Sequence, residues 1–176
     1  CGGQGRTPNH ERVEINVPAG VSSGQQLRVR GYGEAGVRGE ASGDLLVSVA
    51  VAEHERFQRS GDDLVCAIDV SIAQAALGCT VEVPGIMPDE TITFEVPAGT
   101  QYGDTVEVAE FGMPRVGGGG SRGRAIGQVC ILVPRKLSGE ARSHLEKYAD
   151  AMGESYTARR SMGDRIRDAI DDILDQ

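Results

Sequence analysis

Apolar and polar residues alternate along much of this chain, the period of a strand with one face in a core. Val13, Ile15 and Val17 begin the pattern, and Leu27 and Val29 resume it after the turn-forming stretch from Pro18 to Gly24. A glycine-rich loop, GYGEAGVRGEASG, leads to DLLVSVAV, where Leu45, Val47, Val49 and Val51 share a face. Leu64, Cys66, Ile68 and Val70 alternate in LVCAIDV, and a short helix is predicted near Ser71 to Leu77, with Ser71 as its N-cap. CTVEVP follows as another strand. Phe94 and Val96, then Val106 and Val108, then QVCILVP complete the strand signals.

The order is stated twice. INVPAGVSSGQQLRVRGYGEAG, from Ile15 to Gly36, is echoed by FEVPAGTQYGDTVEVAEFGMPR, from Phe94 to Arg115. Val17, Gly24 and Gly33 align with Val96, Gly103 and Gly112, each 79 residues on. Gly43 aligns with Gly127, 84 residues on, which makes the second loop five residues longer. Two copies of one β module are the physical reading of such self-similarity. The strand-helix-strand of Asp63 to Val83 has no counterpart ahead of the first copy. Either the modules differ, or the chain begins part-way through the first.

After Pro134 the period lengthens. LSGEARSHLEKYADAMG predicts a helix capped by Ser138, with Leu145, Tyr148, Ala149 and Met152 at helical spacing. In the tail, Met162, Ile166, Ile170, Ile173 and Leu174 form one stripe opposite an acidic face. A terminal helix of this kind packs on its own domain or on a partner helix.

Composition narrows the function classes. Eighteen Lys and Arg against 26 Asp and Glu give a net charge of −8, which argues against direct nucleic-acid binding. No apolar run suits a membrane span and no secretory signal pattern opens the chain. Cys1, Cys66, Cys79 and Cys130 are too scattered for a disulfide scaffold, so a cytoplasmic setting is expected. Cys66 and Cys130 read as strand residues. With no Trp, four Tyr and three Phe, the chain lacks the aromatic platforms of a carbohydrate-binding module.

No catalytic constellation emerges, and the chain is not expected to be an enzyme. His10, His54 and His144 stand in unrelated contexts, and His54 reads as a domain-junction residue rather than a base. Gly61 to Asp63 reads as a turn rather than a metal site. VGGGGSRGR lacks the Gly-Lys-Ser/Thr ending of a phosphate loop.

RVRGYGEAG, GDL at Gly43 to Leu45, HERFQRSGDDL from His54 to Leu64, ALG at Ala76 to Gly78 and VPAG in both copies are together similar to one family. This is the DnaJ family of zinc-containing (type A) J-domain co-chaperones, in its C-terminal substrate-binding and dimerisation region. The resemblance covers Cys1 to about Gly153. It implies a mainly β fold: two tandem β-sandwich or barrel-like domains with little helix, the first incomplete, followed by C-terminal helices. The implied boundaries are 1–8 for the end of a zinc-binding region, 9–55 and 56–136 for the two β domains, 137–153 for a dimerisation helix and 154–176 for an amphipathic acidic tail helix.

The opening CGGQG has the form Cys-x-Gly-x-Gly, the end of a zinc motif that the family carries four times to build two four-thiolate sites. Cys1 is thus implied as a zinc ligand only in a full-length parent. Tetrahedral zinc needs four ligands, so this chain is expected to hold none by itself. In the family the zinc region is inserted inside the first β domain. The opening strands of that domain, and the J-domain with its His-Pro-Asp tripeptide, are therefore expected to precede this sequence.

The implied function is binding of unfolded polypeptide clients by strand addition, with side-chain pockets adding preference. By alignment the pocket residues fall on Val13 and Val47, with Ile15 and Val29 as further candidates. Plain core packing is the competing reading of all four. The implied dimer contact is the segment from Leu137 to Met152, with Leu137, Leu145, Tyr148 and Met152 as its apolar residues. Implied partners are a second copy of the chain and, in the full protein, a DnaK-type chaperone ATPase and the nucleotide exchange factor GrpE, with no membrane. Two alternatives remain: a structural dimerisation arm, or a generic β-sandwich binding module without client binding of its own.

Overall fold

The computed structural model describes residues 10–36 and 40–156. Cys1 and the tail stripe from Met162 to Leu174 lie outside the described residues. The chain divides into two compact units, Cys1–Val133 and Pro134–Gln176. The fold is mainly β, as expected. In the first unit the elements run β1 (Gln26–Val29), β2 (Leu45–Ser48), β3 (Gln58–Ser60), β4 (Asp63–Ser71), α1 (Ile72–Leu77), β5 (Cys79–Pro84), β6 (Thr91–Val96), β7 (Thr105–Val108) and β8 (Ala125–Leu132). The second unit holds α2 (Gly139–Met152).

From Phe57 onward the first unit forms a closed β module. Its main sheet has the order β3-β4-β8-β7, with β4 parallel to β8 and the other pairs antiparallel. A parallel pair needs a long crossover, and here the crossover carries α1 and the antiparallel hairpin β5-β6. Alternation does the rest. Leu64, Cys66, Ile68 and Val70 of β4 point one way, as do Ile92, Phe94 and Val96 of β6. With Phe57, Ala75, Val83, Ala125 and Val129 they form one buried cluster. α1 begins as predicted: Ser71 caps it, its hydroxyl accepting from Gln74 N while Gln74 Oε1 accepts from Ser71 N at 2.8 Å. That reciprocal pair is a capping box.

The first copy of the module is smaller. β1 and β2 pair antiparallel, Leu27 opposite Val47 and Val29 opposite Leu45. The expected strand over Val13, Ile15 and Val17 is not formed: residues 10–18 keep the alternation in part, with Val13 and Ile15 half-buried, but belong to no ladder. A strand is completed by a partner, and none of the described residues pairs with this segment. Val17 is exposed, and β2 ends at Ser48 rather than continuing to Val51.

The structure also corrects the alignment of the repeats. In the first copy Gly33 N donates to Gly43 O at 2.8 Å, and in the second Gly112 N donates to Gly123 O at 2.8 Å. Gly24 N to Val49 O at 2.8 Å matches Gly103 N to Val129 O at 2.9 Å. Gly43 therefore corresponds to Gly123, not Gly127, and the second loop is one residue longer rather than five. The run of glycines after Val116 had obscured this. A cross-strand ion pair marks the same register with its charges exchanged. Arg28 bonds Asp44 through Nε at 2.5 Å, and Glu107 accepts from Arg124 Nη1 at 2.8 Å.

Val47 now corresponds to Gly127. A Cβ on Gly127 would stand 3.1 Å from Ile68 Cδ1 and from Phe94 Cδ1 and Cε1. Ile68 and Phe94 are both fully buried. Overpacking of that kind costs about 1–3 kcal/mol. Gly127→Ala is expected to lose that much in urea unfolding, and Phe94→Leu in the same chain to recover part of it.

Arg122 ties the loop after β5 to the loop before β8. Its guanidinium pairs with both carboxylate oxygens of Glu90, Nη2 to Oε2 at 3.2 Å, and its Nε donates to Gly112 O at 2.8 Å. Both side chains are largely shielded from solvent. The Arg122 hydrogen bond holds the Glu90 carboxyl below its ordinary range, outweighing burial, which acts the other way. A depressed carboxylate contributes stability above its unfolded pKa and loses it as the pH falls through the folded one. The Tm advantage over Glu90→Gln is therefore expected to shrink on acidification from about pH 7 to about pH 3.

Candidate functional site

The first copy places two of the four sequence-predicted residues, Val29 and Val47, on one face. Val29 and Val47 lie on the same face of β1-β2, together with Leu27 and Leu45, and all four are half-buried. Val13 and Ile15 are half-buried too. Leu27 and Leu45 were missed as site candidates, although the strand alternation already put them on this face. Leu46, on the opposite face, is 59% exposed. Before Phe57, none of the described residues is a fully buried hydrophobic.

The second copy shows what covers the same positions there. Val13 and Ile15 correspond to Ile92 and Phe94 of β6, both at 0% exposure. Val47 corresponds to Gly127, whose missing side chain leaves the space that Phe94 fills. The difference lies in β4, which extends the sheet beside β8, and in α1 and the β5-β6 hairpin carried by the crossover between them. β8 gives one edge to β7 and the other to β4. β2 gives one edge to β1, and nothing among the described residues pairs with the other. Peptide N–H and C=O groups on such an edge are open to an added strand.

Between the copies lies the HERFQRSG motif. His54 Nδ1 accepts from the backbone amides of Arg56 at 3.1 Å and Phe57 at 3.3 Å, and its ring centroid is 5.4 Å from that of Phe57. These contacts are local, all within three residues of His54. Arg59 donates to Val21 O, Gly20 O and Gly61 O, an interaction that sequence reasoning missed. A cavity of about 520 Å³ at this junction is lined by Val51, His54, Phe57, Ile86 and Met113 among others. Gly61, at φ 63°, opens the turn into β4, where Asp63 accepts from Arg124 N and Nη2, both at 2.7 Å. The Arg124 side chain holds the Asp63 carboxyl below its ordinary range.

Among the described residues no three His, Cys, Asp or Glu side chains gather as metal ligands. Cys66 is buried in β4, and burial pushes its thiol pKa up, away from reactivity. Cys130 sits in β8, half-buried.

In the second unit, Ser138 caps α2, its Oγ accepting from Ala141 N at 3.1 Å, and Gly153 ends it in a left-handed conformation. α2 has no buried residue. Leu137, Leu145, Tyr148 and Met152 are all exposed, the last three at helical spacing on one face. No helix among the described residues is long and apolar enough to cross a membrane.

The sequence has relatives among known proteins. A chaperone protein DnaJ of Chlamydia trachomatis is 38% identical over 174 residues, 98% of this chain and 44% of that protein. One from Streptococcus pyogenes is 39% identical over 164 residues, 92% of this chain and 43% of its own length. One from Acetivibrio thermocellus is 36% identical over 171 residues, covering 97% and 44%. The chain thus spans less than half the length of the curated relatives it matches. The family model described as the DnaJ C terminal domain matches residues 5–134, which takes in both copies of the β module, and the chain belongs to that family.

Proposed function

We propose that this chain is the client-holding arm of a J-domain co-chaperone, binding non-native polypeptides by strand addition and presenting them as a dimer. The observation that carries this reading is the contrast between the copies. The first offers a half-buried apolar face and an unpaired β2 edge at positions the second has closed. Backbone bonding along an edge is blind to sequence, which suits a site that must accept many chains. Val13, Ile15, Val29 and Val47 supply the apolar contacts. Burying one Leu of a client there contributes roughly 1.5–3 kcal/mol, weak enough for release. The arm carries no chemistry of its own. In the full protein it delivers clients to a DnaK-type ATPase that works with GrpE, in the cytoplasm. Cys1 supplies one thiolate to a zinc site completed by a longer parent.

The exposed stripe of Leu145, Tyr148 and Met152, with Leu137 ahead of it, supports pairing of α2 with a second copy. Two linked weak sites then gain from effective concentration. The competing reading is a structural arm that dimerises without holding clients.

The two readings are separated by titrating the chain with an extended apolar peptide and following backbone amides. Shifts clustered at residues 11–17 and 45–51 are expected. Val47→Asp is expected to weaken binding about tenfold or more, since burying an unpaired charge costs well over 1.4 kcal/mol. A dimer that binds no peptide would leave only the structural arm. Sedimentation checks the dimer: Leu145→Asp with Tyr148→Asp is expected to give a monomer whose amide spectrum for residues 57–133 is unchanged.

A further inference from the structure

The first β copy lacks a closed core, yet its turn is gripped from outside. Arg59, on β3 of the second copy, gives both terminal nitrogens of its guanidinium to this contact, while its Nε is fixed by Gly61 in its own turn. Nη2 donates to Gly20 O at 2.6 Å, Nη1 to Val21 O at 2.7 Å and Nε to Gly61 O at 2.7 Å. Beside that fork, Gly20 lies against the carbonyl of Pro114 so closely that a Cβ would overlap it. Gly20 also has a φ of 85°.

The repeat supplies its own control. Gly99 is the equivalent of Gly20, with a φ of 82°, but no atom lies within 4 Å of where its Cβ would stand. Its carbonyl accepts only a neighbouring side chain, Gln101 Nε2 at 2.9 Å. One turn is thus used twice: the second is held within its own copy, Gly99 N donating to Ala75 O of α1 at 2.9 Å, and only the first is held by residues of the other copy.

We propose that the Arg59 fork and the Gly20–Pro114 contact couple the folding of the first β copy to that of the second. The second copy closes around its own cluster and serves as the platform. The first keeps its strand pair because its turn is fastened there, and Arg59 is the positioning residue. The coupling concerns the order of opening and holds whether or not the first copy binds clients.

Residue-resolved hydrogen exchange on the full chain tests this, because it reports local opening separately from global unfolding. The probes are the equivalent amides of Val49, bonded to Gln25 O, and Val129, bonded to Asp104 O. Arg59→Ala is expected to speed exchange at Val49 by about tenfold or more and to leave Val129 within about twofold. Arg59→Lys keeps the charge but not the fork, and is expected to fall between. Gly20→Ala is expected to reproduce the Arg59→Ala result. Gly24→Ala, at φ 82° with open space around it, carries only the backbone cost and is expected to do less. Unchanged exchange at Val49 in Arg59→Ala overturns the proposal. So does an equal acceleration at Val129, or a Gly20→Ala effect no larger than that of Gly24→Ala.

Discussion

The structure depends on the parallel pairing of β4 with β8. It joins residues 64–71 to residues 125–132, so the chain between them must fold back over the pair before β7 returns to the sheet beside β8. α1 and the β5-β6 hairpin do so, and Phe94 enters the gap left by Gly127. Parallel pairing is costly to initiate because the loop is long. Once made, it encloses a core that includes Leu64, Ile68, Ile92, Phe94 and Val129. The first copy has the β1-β2 ladder and the turns of the second, but nothing among its described residues takes the place of β4.

That difference turns one architecture into two kinds of surface. Where β4 extends the sheet beside β8 and the β5-β6 hairpin lays Phe94 against Gly127 as a second layer, alternating apolar residues are core. Where no such layer lies over β2, residues at the same repeat positions stay half-exposed. Core packing and client contact were competing readings of Val13, Ile15, Val29 and Val47. At the repeat positions of Val13 and Ile15 the second copy has Ile92 and Phe94 in its core, so one pattern is fully buried there and half-buried in the first copy. Membership of the DnaJ C-terminal domain family fits such a surface.

Much of this was legible in the sequence because strands and caps are local. The alternation in LVCAIDV located β4, Ser71 and Ser138 announced their helices, and the doubled VPAG phrase revealed the repeat. What was not legible is set by partners distant in the chain. Val13 and Ile15 alternate as Ile92 and Phe94 do, yet only the latter pair lies in a ladder. The correspondence of Gly43 with Gly123 was hidden in a glycine-rich loop, where many alignments look alike, and it is decided by matched hydrogen bonds such as Gly33–Gly43 and Gly112–Gly123. Arg59 reaches back 38 residues to Val21, and no periodicity encodes such a reach.

The reversed ion pairs bear on how two like modules avoid becoming entangled. Tandem copies of similar strands invite exchange of partners while the chain is still collapsing. If β1 were to seat itself on β8 in the corresponding register, Arg28 would meet Arg124. If β7 took β2, Glu107 would meet Asp44. Like charges at such positions repel, so each ribbon discriminates between its own mate and its sibling's through the sign of a single contact.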